Sequence, residues 1–459
     1  MSSSSRSSAT QHSSSTPWAV GALVLFSCAI AAFTTACGSG GGGSTMPTTA
    51  QIAPTTAPGI QSCTSLKSAA AEVLVYARPI HQAVVPQSIG PGPSKAICPA
   101  AGPGVMRCMA LVRTDISSDF ASGYSPAQLQ SAYSLTAASA SQGGGQVVAI
   151  VDAYDNPRAE SDLSVFRSSF ALPACTTANG CFLKVNESGM TSPLPGTDST
   201  GGWEAEESLD VDMVSSICQN CKILLIEANT ANNSDLYTAE DTAATTCHAN
   251  EISNSWNGNE YSSETGDEVH FNHPGIMITV AAGDEGYDNP NEGYPATSEF
   301  VTSTGGTTLE QTATGWSETV WPDTGSRCSI YINQPSWQKS LGPAYTSACS
   351  MRIDNDVASD ADPDTGVATY DTFGGPKGCS GWCVSGGTSA SAPLIAAVYA
   401  LAGNGATLEY GSNPYSHASS LNDVTSGSNG NCGNSYLCTA KVGYDGPTGF
   451  GTPHGLGAF

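Results

Sequence analysis

Of the 459 residues only 12% are charged, and Asp and Glu (40) outnumber Lys and Arg (15), for a formal net charge of -25. A chain this poor in basic groups lacks the clustered cations that displace counterions from phosphate, which argues against nucleic acid as a partner. The length suits one large α/β domain with an N-terminal appendage, and the acidic surface serves solubility.

The chain opens on a Ser-rich stretch with Arg6, then an apolar run from Trp18 to about Ala36, then Cys37-Gly38-Ser39-Gly40. A charged polar start, an apolar run and small residues form the layout of an export signal, and residues 1–37 are read as one. Thr35-Ala36-Cys37-Gly38 and the glycine-rich tether 38–44 suggest cleavage before Cys37 and lipidation of its thiol, although Thr34 stands where Leu is usual. An uncleaved membrane anchor is the alternative, since the run approaches spanning length. Either fate puts the rest of the chain outside the cytoplasm, secreted or anchored at the cell surface.

Residues 38–62 are Gly, Ser, Thr and Pro with little to bury, as in a flexible linker. Residues 63–122 form a short Pro-, Gly- and Cys-containing segment with one largely apolar stretch, Ala71 to Tyr76. Two of the 16 cysteines, Cys28 and Cys37, fall in the targeting region. The others meet an oxidising compartment, so disulfides are the default. Spacing pairs Cys175 with Cys181, Cys328 with Cys349, Cys379 with Cys383 and Cys432 with Cys438. Cys218-Gln219-Asn220-Cys221 reads as a further disulfide, because no second CxxC or CxxH completes a zinc knuckle. Spacing assigns no partners to Cys63, Cys98, Cys108 and Cys247.

Ser125 and Pro126 stand as N-cap and first residue of a short helix over 125–133. After Gly143-Gly144-Gly145, short apolar runs at 146–151, 222–226, 251–255, 276–281 and 300–304 alternate with helix-length segments. That alternation predicts an α/β fold with a parallel sheet covered by helices on both faces, and chemistry at the carboxyl ends of the strands.

Ser385-Gly386-Gly387-Thr388-Ser389-Ala390-Ser391-Ala392-Pro393 runs straight into an apolar helical stretch. A serine at a helix start sits where free N–H groups and the positive dipole end stabilise an oxyanion; taken alone it is also an ordinary cap. The nonapeptide as a whole resembles the nucleophile motif shared by subtilisins and sedolisins.

A serine nucleophile needs a base. Asp152, after a β-branched run, suits the aspartate of a subtilisin, but none of the 7 histidines lies in a His-Gly motif opening a helix ahead of the serine. His248, His270, His273 and His417 read as surface or capping residues. In place of the histidine helix stands Gly201-Gly202-Trp203-Glu204-Ala205-Glu206-Glu207-Ser208-Leu209-Asp210-Val211-Asp212. Glu206 and Asp210, spaced i, i+4, share one helix face and would repel unless they share a proton. So acidic a helix is by composition a solvated face. The segment Glu206-x-x-Leu209-Asp210 nevertheless resembles the acid motif of the sedolisin, or serine-carboxyl peptidase, family. That resemblance implies Glu206 as base to Ser389 with Asp210 orienting it. Glu204 and Asp212, two positions away on the helix, should point elsewhere.

Ile278-Thr279-Val280-Ala281-Ala282-Gly283-Asp284-Glu285-Gly286 is a strand ending in Gly-Asp-x-Gly, a common turn. Its Asp284 is similar to the sedolisin oxyanion aspartate, which can donate a hydrogen bond only when protonated and so implies work in acid. Ser253-Asn254-Ser255-Trp256, Tyr294-Pro295-Ala296 and the stretch from Val301 to Thr307 match the same family. Near the C-terminus, Asn422-Asp423-Val424 and Gly443-Tyr444-Asp445 resemble its calcium site. That likeness implies Ca2+ held by the side chains of Asp423 and Asp445 and the carbonyls of Val424, Lys441 and Gly443. Asp354, Asp356, Asp360, Asp362 and Asp364 read as a solvated acidic loop.

The resemblance runs from about Tyr124 to Phe459. It implies a subtilisin-like peptidase domain over 123–459, protein or peptide substrates, and a monomer. Sedolisins are typically made with a large folded prodomain, for which only 63–122 is available here as a reduced propeptide. Two rivals stay open: a catalytically silent surface protein that keeps the fold for binding, and a conventional subtilisin with an unrecognised histidine.

Overall fold

The computed structural model describes residues 62–64, 66, 89–100, 102–374, 380–433 and 435–459. The export signal and nearly all of the linker lie outside the described residues, as does Cys379.

The body is built on parallel strands in the order β10-β9-β7-β4-β6-β5: Val147–Ala153 (β4), Phe182–Asn186 (β5), Lys222–Ala228 (β6), Glu251–Asn254 (β7), Met277–Ala281 (β9) and Thr302–Thr312 (β10). Each neighbouring pair is parallel, with Ile150 beside Leu225 on one side and Ser253 on the other. All seven residues of β4 are buried, because a central parallel strand is covered on both faces; its composition is accordingly Val, Ala and Ile, with one acid, Asp152. Gly315–Val320 (β11) folds back antiparallel on the far part of β10, and Val357–Asp360 (β14) lies parallel beside 304–307 of the same strand.

Two long helices lie side by side against this sheet. Gly202–Ile217 (α3) and Thr388–Ala402 (α5) pack on each other, α3 over β4 and β6, and α5 over β9, β7 and β10. Around them stand Pro126–Ala132 (α1), Ala159–Ser169 (α2) and Asn233–Asp241 (α4). The α1 start carries the expected cap: Ser125 at N-cap, Pro126 in the first turn, and Gln128 reaching back to the Ser125 N–H at 3.1 Å. The architecture is a subtilisin-like parallel sheet flanked by helices.

The segment before this domain is woven into it. Ser94–Ala96 (β1) pairs antiparallel with Leu111–Arg113 (β3), and β3 pairs with Gly381–Gly386 (β16), whose other neighbour is Val367–Asp371 (β15). Arg107–Cys108 (β2) pairs with Trp256–Asn257 (β8). Four cysteine pairs within the described residues are joined as their spacing or motif suggests: 175–181, 218–221, 328–349 and 432–438. Cys63 joins Cys247 and Cys98 joins Cys108, pairings that spacing left open.

The acidic run is not a solvated loop. Asp354, Asp356 and Asp360 are almost wholly buried. Asp356 takes both of its oxygens to the Arg352 guanidinium, at 3.0 and 2.7 Å, and accepts the Ser303 N–H at 2.9 Å. Asp360 closes β14, with its N–H on the Tyr133 hydroxyl and its carboxyl on Thr365. Spacing along the sequence cannot register that an arginine just ahead of the run neutralises one of its acids in the core.

Candidate active site

Helix α3 begins at the carboxyl ends of the strands. Asp198 accepts the Gly202 N–H at 3.1 Å, satisfying one of the unpaired donors of the first turn. Gly202 has no room for a side chain, since a Cβ there would come within 2.7 Å of the Ile97 carbonyl oxygen. The helix presents no solvated face: all its acids are buried. Glu204 accepts the Asp198 N–H at 2.7 Å and Asp212 the Tyr370 N–H at 2.9 Å, so both turn away from the pair formed by Glu206 and Asp210.

Glu206 and Asp210 are fully buried, one turn apart. Asp210 Oδ1 accepts the Ser255 hydroxyl at 2.9 Å. Neither Glu206 oxygen has a well-aligned hydrogen-bond partner, and the Ser389 hydroxyl lies near enough to favour its charged form. Asp152, at the carboxyl end of β4, completes the group, with both oxygens unpaired. Burial pushes all three carboxyls well above their ordinary range. Asp210 and Asp152 add to the shift of Glu206, and Asp210 and Glu227 to that of Asp152. Acids packed this closely in a low-dielectric interior cannot all ionise, so they share protons.

Ser389 sits in the first turn of α5, its hydroxyl 3.4 Å from the Ser255 carbonyl oxygen. The preceding residue, Thr388, donates its N–H and its hydroxyl to Asp284 Oδ1 at 2.7 and 2.9 Å, and accepts the Gly283 N–H at 3.0 Å. Asp284 is thereby held at the N-terminus of α5, beside Ser389. Burial and the Glu292 carboxylate push its carboxyl well above the usual range, against the Thr388 N–H and Arg107. A protonated carboxyl at that point can donate to an oxyanion.

Glu206, Asp210, Asp284 and Ser389, separated by up to 183 positions in the chain, thus come together in one cleft. Other members of the site carried no sequence signal for this role. Glu292 accepts the Asp284 and Glu285 N–H groups at 2.8 and 3.2 Å and pairs with Arg107 at 2.6 Å. The place of Asp152 was legible as an acid at the end of an apolar strand. The described histidines lie elsewhere: His270 and His273 bond Asp241, and His248, His417 and His454 are exposed.

The C-terminal loops form a second group. Asp423 Oδ2 accepts the Gly443 N–H and Asp445 Oδ2 the Lys441 N–H, each at 2.9 Å, which closes the two loops on each other. Asp445 is buried and pushed up to about 7, chiefly by burial, with the Asp423 charge adding to it. Among the described residues no three His, Cys, Asp or Glu side chains gather around a metal position. Two carboxylates in facing loops, completed by main-chain carbonyls, fit a hard cation such as calcium.

No family model matches the chain. Kumamolisin of Bacillus sp. (strain MN-32) is 29% identical over 365 residues, which cover 72% of this chain and 62% of that protein. Sedolisin of Pseudomonas sp. (strain 101) is 33% identical over 208 residues, 39% of this chain and 33% of that protein. The solved structure of Pseudomonas sedolisin, a serine-carboxyl proteinase complexed with two molecules of pseudo-iodotyrostatin, superposes with a TM-score of 0.61 at 25% identity, over 73% of this chain and 96% of that one. In sequence and in fold the chain is similar to the sedolisins, and these likenesses support a serine-type peptidase of that kind. It spans less than two thirds of the length of the curated sedolisins it matches, and the structural likeness covers nearly the whole of the solved sedolisin chain.

Proposed function

We propose that the chain is a serine-type endopeptidase that hydrolyses peptide bonds in proteins at acidic pH, with Ser389 as nucleophile, Glu206 as general base, Asp210 orienting Glu206, and Asp284 in the oxyanion hole. One observation carries this reading: Ser389 and Asp284 share the N-terminus of α5 opposite the buried Glu206 and Asp210 carboxyls.

Ser389 Oγ attacks the substrate carbonyl carbon while its proton passes to Glu206. The oxyanion is met by the helix N-terminus and by the Asp284 oxygen not engaged by Thr388, which carries a proton in acid. Glu206 returns the proton to the leaving amine, and water then releases the acyl group from Ser389 by the same route. Asp210 acts through its position one turn from Glu206, itself steadied by Ser255. A pH–rate profile on casein with pepstatin present tests the reading. Activity confined to acid and insensitive to pepstatin is expected. An optimum at neutral or alkaline pH, unchanged in Glu206→Gln, would overturn it in favour of a conventional subtilisin.

Calcium would be held by Asp423, Asp445 and the carbonyls of Val424, Lys441 and Gly443, where it supplies charge that pins the C-terminal loops. The protein works outside the cytoplasm, exported by residues 1–37 and either secreted or lipid-anchored through Cys37. No helix among the described residues is long and apolar enough to cross a membrane.

A further inference from the structure

Glu292 lies outside every motif read from the sequence, yet its carboxylate clasps the turn that carries Asp284. Oε1 accepts the Asp284 N–H at 2.8 Å and Oε2 the Glu285 N–H at 3.2 Å. Successive main-chain N–H groups that converge on one carboxylate form an anion-binding nest. Gly283, at φ 119°, makes room for it, since a Cβ there would fall within 2.2 Å of Glu292 Oε2. Glu292 is 3% exposed, and a charge so buried needs partners. Arg107 supplies a further one at 2.6 Å.

The two acids of this turn are not equivalent. Glu292 has an ion-pair partner and two main-chain donors, all of which favour its charged form. Asp284 engages Thr388 through Oδ1, while Oδ2 lies against Gly387 beside the Met109 carbonyl oxygen: a Cβ at Gly387 would come within 2.5 Å of the one and 2.0 Å of the other. The Met109 N–H in turn donates to the Ser255 carbonyl at 3.0 Å. An acceptor beside Oδ2 favours a proton on that oxygen. Glu292 therefore ionises first, and the charge it leaves makes the second proton harder to remove. Burial pushes Glu292 up to about 6 while Arg107 draws it down, whereas burial and then Glu292 push Asp284 well above its usual range. The other charged groups around the pair are Glu285, which holds Arg107 at 2.5 Å, and Glu206 across the cleft. Arg327 donates to the Glu292 carbonyl and is itself paired with Glu260 at 3.1 Å.

We infer that Glu292 is a positioning residue of the oxyanion hole: it fastens the turn that aims Asp284 at the substrate oxygen, and its charge keeps the donor proton on Asp284 as pH rises. This rests on the serine-peptidase reading with Asp284 as oxyanion donor. The sign follows from like charges. A carboxylate beside Asp284 raises the pH at which Asp284 loses its proton, so the donor persists into less acidic solution than an aspartic acid alone would allow. Removing that charge lowers the same pH. Glu292 itself touches no reacting atom and acts only through Asp284.

The alkaline limb of the pH–rate profile on casein, normalised to each protein's own acid plateau, tests this in the wild type, Glu292→Gln, Asp284→Asn and the double variant. Glutamine keeps the shape and an acceptor but not the charge, so the limb of Glu292→Gln should lie lower than that of the wild type by about one pH unit or more. On the Asp284→Asn background, whose donor has no proton to lose, the same substitution should move the limb no further. A limb unmoved in Glu292→Gln, or moved equally on the Asp284→Asn background, overturns the inference and leaves the peptidase reading standing. A limb that stays in place in Asp284→Asn removes the oxyanion role of Asp284 and the inference with it. If circular dichroism shows Glu292→Gln unfolded, carbon NMR of the aspartate carboxyls in the full chain decides, the Asp284 signal being assigned by its loss in Asp284→Asn. Asp284 should ionise in the second of two coupled steps, and ionisation in the first overturns the inference.

Discussion

Thr388 donates both its N–H and its hydroxyl to Asp284 Oδ1, at 2.7 and 2.9 Å, while the Gly283 N–H returns a bond to the threonine oxygen. The carboxyl beside Ser389 is thus fixed before any substrate arrives, with one oxygen occupied as an acceptor and the other left to act as a donor. Preorganised donors of this kind stabilise developing charge without reorganising during the reaction.

Asp284→Ala should lower kcat by roughly 10²–10³-fold, the usual loss for one oxyanion donor. Asp284→Asn keeps a donor that needs no proton, so its alkaline limb should move to higher pH than that of the wild type. A pH–rate profile of the three proteins separates these outcomes, and an unmoved limb in the asparagine variant would assign the pH limit to another group.

Replacing the nucleophile, Ser389→Ala, should reduce kcat by something on the order of 10⁶-fold, and Glu206→Ala by a comparable factor, because residues that act as a unit fail together. The double variant should be little worse than either single one. Circular dichroism checks that each variant is folded, and active-site labelling by a peptide aldehyde should vanish in the serine variant only.

Stability should fall as pH rises from about 4.5 to 8. Burial pushes Glu240 and Glu264 up to about 8 and Glu268 and Asp354 up to about 7. In the unfolded chain such groups titrate near about 4. Between those values the folded state binds more protons than the unfolded one, so each unit of pH lost to alkali removes stability that is fully present below about pH 4. A melting series should show Tm lower by roughly 5–10 °C at pH 8 than at pH 4.5; a flat or rising series would contradict the protonated state of these acids.

Chelation should lower Tm at pH 7 and added calcium should restore it, as for any ligand that binds only the folded state. Asp445→Asn and Asp423→Asn should each abolish the response. Calorimetric titration of the chelated protein with calcium chloride reads the site directly, and an unchanged response in both variants would move the cation elsewhere.

The sequence by itself determined the fold class, because apolar runs of strand length alternate with helical stretches, and it brought out Ser389, Glu206, Asp210 and Asp284, because each sits in a short motif whose order along the chain is specific. Its local nature also set its limits. Composition read α3 and the acids from Asp354 to Asp360 as solvated, yet packing buries them, since Arg352 and the shared protons that relieve their charge are properties of contact and not of spacing. The partners of Cys63 and Cys98 lie 184 and 10 positions away with no pattern to mark either. Only the tertiary structure decided that Arg107 pairs with Glu292 and that Met109 lies against Ser255 and Gly387. Both contacts arise where an N-terminal strand is added to the edge of the cleft, and backbone pairing of that kind leaves almost no trace in the side chains that make it.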